Sequence, residues 1–434
     1  MEIYKIKKFN KYPLRKKTFS FLFLLIFLIF FFLTFTAIAG SPRKAHYSED
    51  SSDLYWFLII SDTHIGKHVD NSDIKDLKAV VEDLYKIINP RSIINTGDLT
   101  DQLNPKTSGE EQWEEYRQIV DTAGMNEIVN GVPVYSDAPG NHDQYFERFN
   151  PLNNYKEYSV QGRATKGTQR SWVNNKPTGK DHFITISTPD PRLTNPVTDA
   201  LLKCPGDLDD EELNFIQTSL ENEGDANLAF VFGHHPLRGD WGAINGGRDE
   251  FINLLCDHRA SMYVFGHTHR GKTFIEPYFE ICPNSVNQFL ALNVSSLSED
   301  NEFAIVAIDN DGISLTLTNL YQINPIVLIT APLDKNLGGN NPYAYQVPIG
   351  TKNPIRALVF SRIFDVTQVR YRVDSGDWYP MSQSPSNTHL WETNDWDTTS
   401  LDPSIEHTLW MQGCTTLGCS LLSLHIITFE VGNP

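Results

Sequence analysis

Short apolar runs, most of them ending in a small polar cluster, recur along the first three quarters of the chain. Trp56-Phe57-Leu58-Ile59-Ile60 is apolar at every position, the pattern of a strand buried on both faces of a parallel sheet. Ile74, Leu77, Val80, Val81, Leu84, Ile87 and Ile88 then return at helical spacing, which predicts an amphipathic helix over residues 73–89. Ser92-Ile93-Ile94-Asn95 predicts the next strand, and Trp113, Tyr116, Ile119 and Val120 mark one face of a second helix over 111–123. Further strands are predicted at 132–135, 182–186, 228–232 and 262–265, with a helix over 207–223. Runs at 289–293, 303–308 and 313–317 predict an antiparallel group that closes the sheet. Alternating strands and helices of this kind build an α/β layer whose site lies at the carboxyl ends of the strands. Residues 145–180 are polar and lack a period, which predicts a long loop over the mouth of that site.

The pattern changes after Tyr321. Pro325, Pro332, Gly338, Gly339 and Pro342 punctuate a predicted linker over 323–345, separating a first domain at 54–322 from a second at 346–434. In the second, short strands are predicted at 356–361, 369–373 and 426–431, with Asp374-Ser375-Gly376-Asp377 as a hairpin connection, so it reads as a small β-sandwich. At the other end, seven Lys and Arg precede an unbroken apolar run from Phe21 to Leu33, and Ala37-Ile38-Ala39 follows with small-x-small spacing. Residues 1–39 are therefore read as a signal peptide or signal anchor, and 40–53 as a polar linker. The body is expected to be exported: periplasmic, extracellular, or membrane-anchored and facing away from the cytoplasm. Any membrane contact would run through the N-terminal segment if it stays uncleaved.

A chain of 434 residues with 40% hydrophobic and 21% charged content fits two globular domains. Its net charge is −18; beyond residue 39 the balance is 29 Lys and Arg against 53 Asp and Glu, or −24. So acidic a body repels polyanions at long range, which disfavours a nucleic-acid partner and a nuclease activity. Of five cysteines, Cys414 and Cys419 flank a four-residue stretch that a disulfide can close. Cys204, Cys256 and Cys282 lack zinc-site spacing and are read as buried structural thiols.

Five fragments carry the chemistry: Asp62-Thr63-His64, Gly97-Asp98, Gly140-Asn141-His142-Asp143, Gly233-His234 and Gly266-His267-Thr268-His269. Each is placed after a strand-like run. Any one alone is ordinary turn chemistry, but no structural demand calls for all five together. Two divalent cations side by side activate a bridging water and clamp the attacking and leaving oxygens of a phosphate ester. Two aspartates and a hydroxide leave such a pair with a net positive charge toward the phosphate, and neutral imidazole and amide ligands preserve it.

That five-part order resembles the calcineurin-like metallophosphoesterase superfamily. The resemblance implies a four-layer α/β/β/α sandwich and two divalent metal ions (Mn, Zn or Fe). It also implies a phosphate monoester or diester substrate, attacked by a metal-bridging hydroxide. Carried over by motif, Asp62, His64 and His269 hold one cation, Asn141, His234 and His267 the other, and Asp98 bridges them. His142 is implied as a catalytic group that approaches the substrate, with Asp143 or Asp101 orienting its ring. Purple acid phosphatases place an iron-binding tyrosine where this chain has Asp101, so Mn, Zn or Fe(II) is expected. A finer resemblance rests on Gly97-Asp98-Leu99-Thr100-Asp101, Trp113-Glu114-Glu115-Tyr116, Asn324-Pro325-Ile326-Val327-Leu328-Ile329-Thr330 and the trailing β-domain. These are similar to the transmembrane-protein-62 group, whose members join a phosphoesterase domain to an immunoglobulin-like domain.

Around these motifs, His235 is read as a packing neighbour of the ligands, Arg270 as a surface residue and Tyr145 as a candidate for the mouth. Six further histidines, at 68, 182, 258, 389, 407 and 425, are read as structural or surface residues. Trp378, Trp391, Trp396 and Trp410 are assigned to the sandwich core. Specificity is assigned to residues 145–180 and 238–248. The rival to an enzyme is a non-enzymatic binding or adhesion module that keeps the metal fold as a scaffold. Loss of ligands would mark it, and none is lost.

Overall fold

The computed structural model describes residues 45–103, 109–269, 278–283 and 287–432. The expected leader and Arg270 lie outside them. Strand β1 (Tyr55–Ile60) pairs in parallel with β2 (Ile93–Asn95), which pairs in parallel with β3 (Tyr135–Asp137). A second sheet holds β4 (Arg170–Lys176), β5 (Gly179–Thr185), β6 (Leu228–Phe232), β7 (Met262–Phe265), β8 (Tyr278–Ile281) and β9 (Gln288–Asn293). Its order is β8-β9-β7-β6-β5-β4, with β5, β6, β7 and β9 parallel. Strands β10 (Glu302–Asp309) and β11 (Gly312–Asn319) return to the first sheet and complete the order β11-β10-β1-β2-β3.

The unbroken apolar strands are explained by what covers them. Phe57 and Ile59 point into a core between the two sheets, against Phe183, Phe230, Phe232 and Val264. Trp56, Leu58 and Ile60 point the other way, into a core with Leu77, Val80, Leu84, Trp113 and Tyr116. These last residues come from α1 (Ser72–Lys78), its continuation through Ala79–Leu84 and Tyr85–Ile88, and α2 (Gly109–Thr122). Helices later in the chain cover the far face of the second sheet and bury Leu213, Ile216, Phe251 and Leu255. Burial on both faces is the condition under which a parallel strand loses its polar alternation.

Residues 145–180 are not one long loop. They form α3 (Asn153–Tyr158), α4 (Val160–Thr165) and β4. Tyr155 is fully buried and donates to the Asp137 carbonyl at 2.6 Å, while Asp137 accepts the first amides of α4 from Val160 and Gln161. Helices of six residues are too short to show a period, and a buried acid rather than an apolar stripe anchors them.

The segment read as a linker contains β12 (Ile326–Ala331). Leu328 joins the core of the first sheet, whereas Val327 and Ile329 join the core of an all-β region, so one strand serves both. That region packs the sheet β12-β13-β17-β16 against β15-β14-β18-β19. The strands are β13 (Asn353–Phe360), β14 (Val366–Val373), β15 (Tyr379–Pro380), β16 (Ser382–Gln383), β17 (Leu390–Trp396), β18 (His407–Thr415) and β19 (Gly418–Phe429). Trp391 and Trp396 are core residues. Trp378 and Trp410 are not: they flank Arg372, whose guanidinium lies 5.0 and 4.5 Å from the two rings on the outer face of the sheet. His389 packs edge-on against Trp56, and His407 meets the Asp374 carboxylate at 2.8 Å.

Arg356 on β13 is 1% exposed and grips Asp309 at the end of β10 through two bonds of 2.8 and 3.0 Å, while a third goes to the Ser48 carbonyl. Cys414 and Cys419 are bonded, and so are Cys256 and Cys282, which corrects the reading of those two as thiols. Cys256 lies in a helix and Cys282 just past β8, so their distance in sequence hid the pair. Among the described residues no helix is long and apolar enough to cross a membrane.

Replacing Arg356 by Met strands a buried carboxylate and should lower unfolding free energy in urea by about 3–5 kcal/mol. Replacing Asp309 by Leu in the same chain should recover most of that loss, and a single-variant loss under about 1 kcal/mol would contradict the buried pair. Denatured without reductant, the chain should titrate one thiol, Cys204; three would deny the 256–282 bond.

Candidate metal centre

The loops that leave β1, β2, β3, β6 and β7 meet at the carboxyl ends of the strands. Beyond the sheet, Asp62 N donates to Gly97 O, His64 N to Asp98 O and Ile65 N to Leu99 O at 2.9–3.0 Å, which prolongs the pairing of the first two loops. Asp62, His64, Asp98, His267 and His269 all have left-handed backbone, with φ between 43° and 69°. Non-glycine residues enter that region at a cost and persist where their surroundings fix them, chiefly at functional sites. Gly140 is required for a different reason: a Cβ there would stand 2.2 Å from Asp98 Oδ1.

Asp143 does not orient His142. It accepts amides from Leu99, Thr100 and Gly140 at 2.8–3.1 Å and so locks the second loop to the third. The His142 ring is set by Asp101 instead, through a 2.8 Å bond from Nδ1 to the backbone carbonyl. His142 N also donates to Asp98 Oδ1 at 2.9 Å.

Two groups of donors converge and share Asp98: Asp62, His64, Asp98 and His269 form one, and Asp98, His234 and His267 the other. His64 Nε2 and His269 Nε2 are 3.0 Å apart, and His269 Nε2 is 2.8 Å from Asp62 Oδ1. His234 Nε2 is 3.2 Å from both Asp98 Oδ2 and His267 Nδ1, and Asn141 Oδ1 is 3.1 Å from the latter. The outer contacts fix how these rings face inward. His234 Nδ1 bonds the Thr96 carbonyl at 2.9 Å, and His269 Nδ1 faces Glu299 at 3.1 Å. Since a carbonyl only accepts, Nδ1 of His234 carries hydrogen, and Nε2 is left facing a carboxylate and another imidazole, free to give its lone pair to a cation once deprotonated.

Such crowded acceptors need positive charge. Against burial, Asp98 pushes His234 up to about 9, and Asp62 with Glu299 pushes His269 up to about 10. Burial opposes charge on Asp98 as well, yet His234 and His142 hold it well below the ordinary carboxylate range. A divalent cation satisfies the same acceptors directly, because ligands about 2.1 Å from one ion lie about 3.0–3.4 Å from each other, depending on whether it is octahedral or tetrahedral. The donor set therefore fits metal.

The profile of the calcineurin-like phosphoesterase family matches residues 55–271, half of the chain. The chain belongs to that family. It is 25% identical over 347 residues to transmembrane protein 62 of Mus musculus, covering 77% of this chain and 50% of that protein. An Arabidopsis thaliana protein named provisionally as a metallophosphoesterase is 25% identical over 275 residues, covering 59% of this chain and 35% of that protein. The chain thus spans half or less of the length of these curated relatives. The calcineurin-like phosphoesterase YfkN of Bacillus subtilis superposes with a TM-score of 0.36 at 13% identity, over 62% of this chain and 91% of that one.

Two contributors, Asp199 and Glu299, escaped the sequence reading. Asp199, on α5 (Pro196–Leu201), accepts from Asn141 Nδ2 at 2.9 Å and from Tyr145 at 2.6 Å, so it aims the Asn141 oxygen at His267. Tyr145 itself is buried, its ring 4.8 Å from that of His142. Glu299 pairs with His269 and Lys67, which hold its carboxyl down to about 2. Ser296 caps the four-residue helix that carries Glu299, accepting from Glu299 N at 3.3 Å, and nothing in so short a segment announces a partner 30 residues earlier. His235 packs its ring 4.7 Å from that of His267 and bonds Thr188 at 2.8 Å.

Glu299→Ala should weaken manganese binding by about 10–100-fold in calorimetric titration of the chelator-stripped protein, with Glu299→Gln recovering part of the loss. Equal affinities for all three proteins would contradict an orienting role.

Proposed function

We propose that this protein is an exported phosphoric ester hydrolase that works through two divalent cations, Mn, Zn or Fe(II), shared across Asp98. The observation that carries this is the sharing of Asp98 between two donor groups, each with its own imidazoles. Asp62, His64 and His269 hold one ion, and Asn141, His234 and His267 the other. When bound, the ions supply an activated water and positive charge facing the phosphate of a monoester or diester. His142 does the chain's own proton work: with Nδ1 tied to the Asp101 carbonyl, Nε2 is left to protonate the departing oxygen. Its side chain and that of His269 are 19% and 23% exposed, against 0–2% for His64, Asp62, Asp98 and His234, which supports a mouth at that edge.

Two disulfides support an oxidising compartment and hence export. We read the paired four-stranded sheets after Ile326 as an immunoglobulin-like domain, with the boundary at β12 rather than at 346.

Asp98→Asn and His269→Ala should each lose bound metal by elemental analysis and, with it, hydrolysis of bis(4-nitrophenyl) phosphate. His142→Ala should keep its metal and lose about 10²–10⁴ in kcat. Full activity in His142→Ala, or full metal content in Asp98→Asn, would overturn the assignment.

A further inference from the structure

The loops that build the centre also carry large apolar side chains turned to solvent. Val69 follows β1; Phe146 and Phe149 follow β3; Val197 and Leu201 follow β5; Trp241 follows β6. All are between 49% and 96% exposed. Phe146, Val197, Leu201 and Trp241 are tied to the mouth by their neighbours. Phe146 follows Tyr145, which touches His142, and Phe146 N bonds Thr194 O at 2.7 Å, just before α5. On α5, Asp199 faces Asn141, and Val197 and Leu201, two residues to either side and four apart, share the opposite face. Trp241 precedes Gly242, whose backbone lies so close to His267 that a Cβ there would be 2.1 Å from Nε2.

A phosphate ester of a small soluble alcohol gives no reason for such a collar. Exposed Trp, Phe and Leu around a mouth are the means by which a protein lies on a lipid interface. At the other end of the first sheet His46 N bonds Asn310 O beside the β10–β11 turn, so residues 45–53 do not cover the collar. A net charge of −18 weighs against an anionic surface. Arg148, 5.8 Å from the Phe149 ring centre, suits the phosphates of a zwitterionic one.

We propose that these loops seat the enzyme on a zwitterionic phospholipid surface, and that its substrate is a phosphate ester of an amphiphile held there. This rests on the hydrolytic reading of the same centre. Water adds to phosphorus, the P–O bond to the leaving alcohol breaks, and the alcohol oxygen takes a proton.

The test uses the full chain with manganese, and two esters: soluble bis(4-nitrophenyl) phosphate, and hexadecyl 4-nitrophenyl phosphate dispersed in phosphatidylcholine vesicles. Phe149→Ser/Leu201→Ser should keep its rate on the soluble ester within about twofold and lose about tenfold or more on the dispersed one. In EDTA, brominated phosphatidylcholine vesicles should quench tryptophan fluorescence in the parent chain and much less in Trp241→Phe. Equal rates of parent and double variant on the dispersed ester, no Trp241-dependent quenching, or quenching that requires phosphatidylserine would each overturn the proposal. Quenching without turnover of either ester would leave the lipid seat standing and sink the hydrolytic reading beneath it.

Discussion

The site depends on an electrostatic conflict that the fold sets up on purpose-built corners. Carboxylate oxygens and imidazole nitrogens face one another at 2.8–3.2 Å. Thr96 O and Glu299 occupy the outer nitrogens of two of the rings, so the inner ones point at other acceptors. Acceptors this close in a buried place repel unless positive charge lies among them. Protons meet part of that need, as the raised His234 and His269 indicate, and divalent ions meet it with charge to spare for a phosphate. Asp98 lies at the middle of the conflict and is gripped in three ways from two loops: by its own left-handed turn, by the His142 amide and by the close approach of Gly140.

Much of the surrounding fold can be understood as the support this conflict requires. Two sheets buried on both faces bring their parallel strands to a common end, and the first two loops prolong the pairing past the last strand residue. Asp143 spends its carboxylate on three backbone amides, which binds the second and third loops into one piece. Glu299 and Asp199 arrive from segments far along the chain to set one ring and one amide. At the opposite end, Arg356 and Asp309 bind the all-β region to the same sheet, well away from the chemistry.

The candidate ligands were legible in the sequence because each stands directly after an apolar run, where strand ends are easy to see. The strands were legible for the same reason. What supports them was not. Asp199 and Glu299 sit in helices of six and four residues, too short for a period, and their partners are scores of residues away. Tyr155 and Asp137 organise a stretch that reads as loop because its anchor is a buried hydrogen-bonded acid rather than an apolar stripe. The proline-rich join hid β12, whose alternate residues belong to two cores at once. Cys256 and Cys282 gave no spacing signal, since a disulfide joins neighbours in space. The exposed Phe, Leu and Trp side chains were equally silent: they come from separate loops, and those loops meet only when the strand ends do.

The central claim is that two cations share Asp98. Anomalous diffraction at the manganese edge, from crystals of the full chain grown with that metal, tests it most directly. Two cations that share Asp98 would give two peaks about 3.5–4 Å apart, with the Asp98 carboxylate between them. A single peak, or a pair that leaves Asp98 uncoordinated, would contradict it.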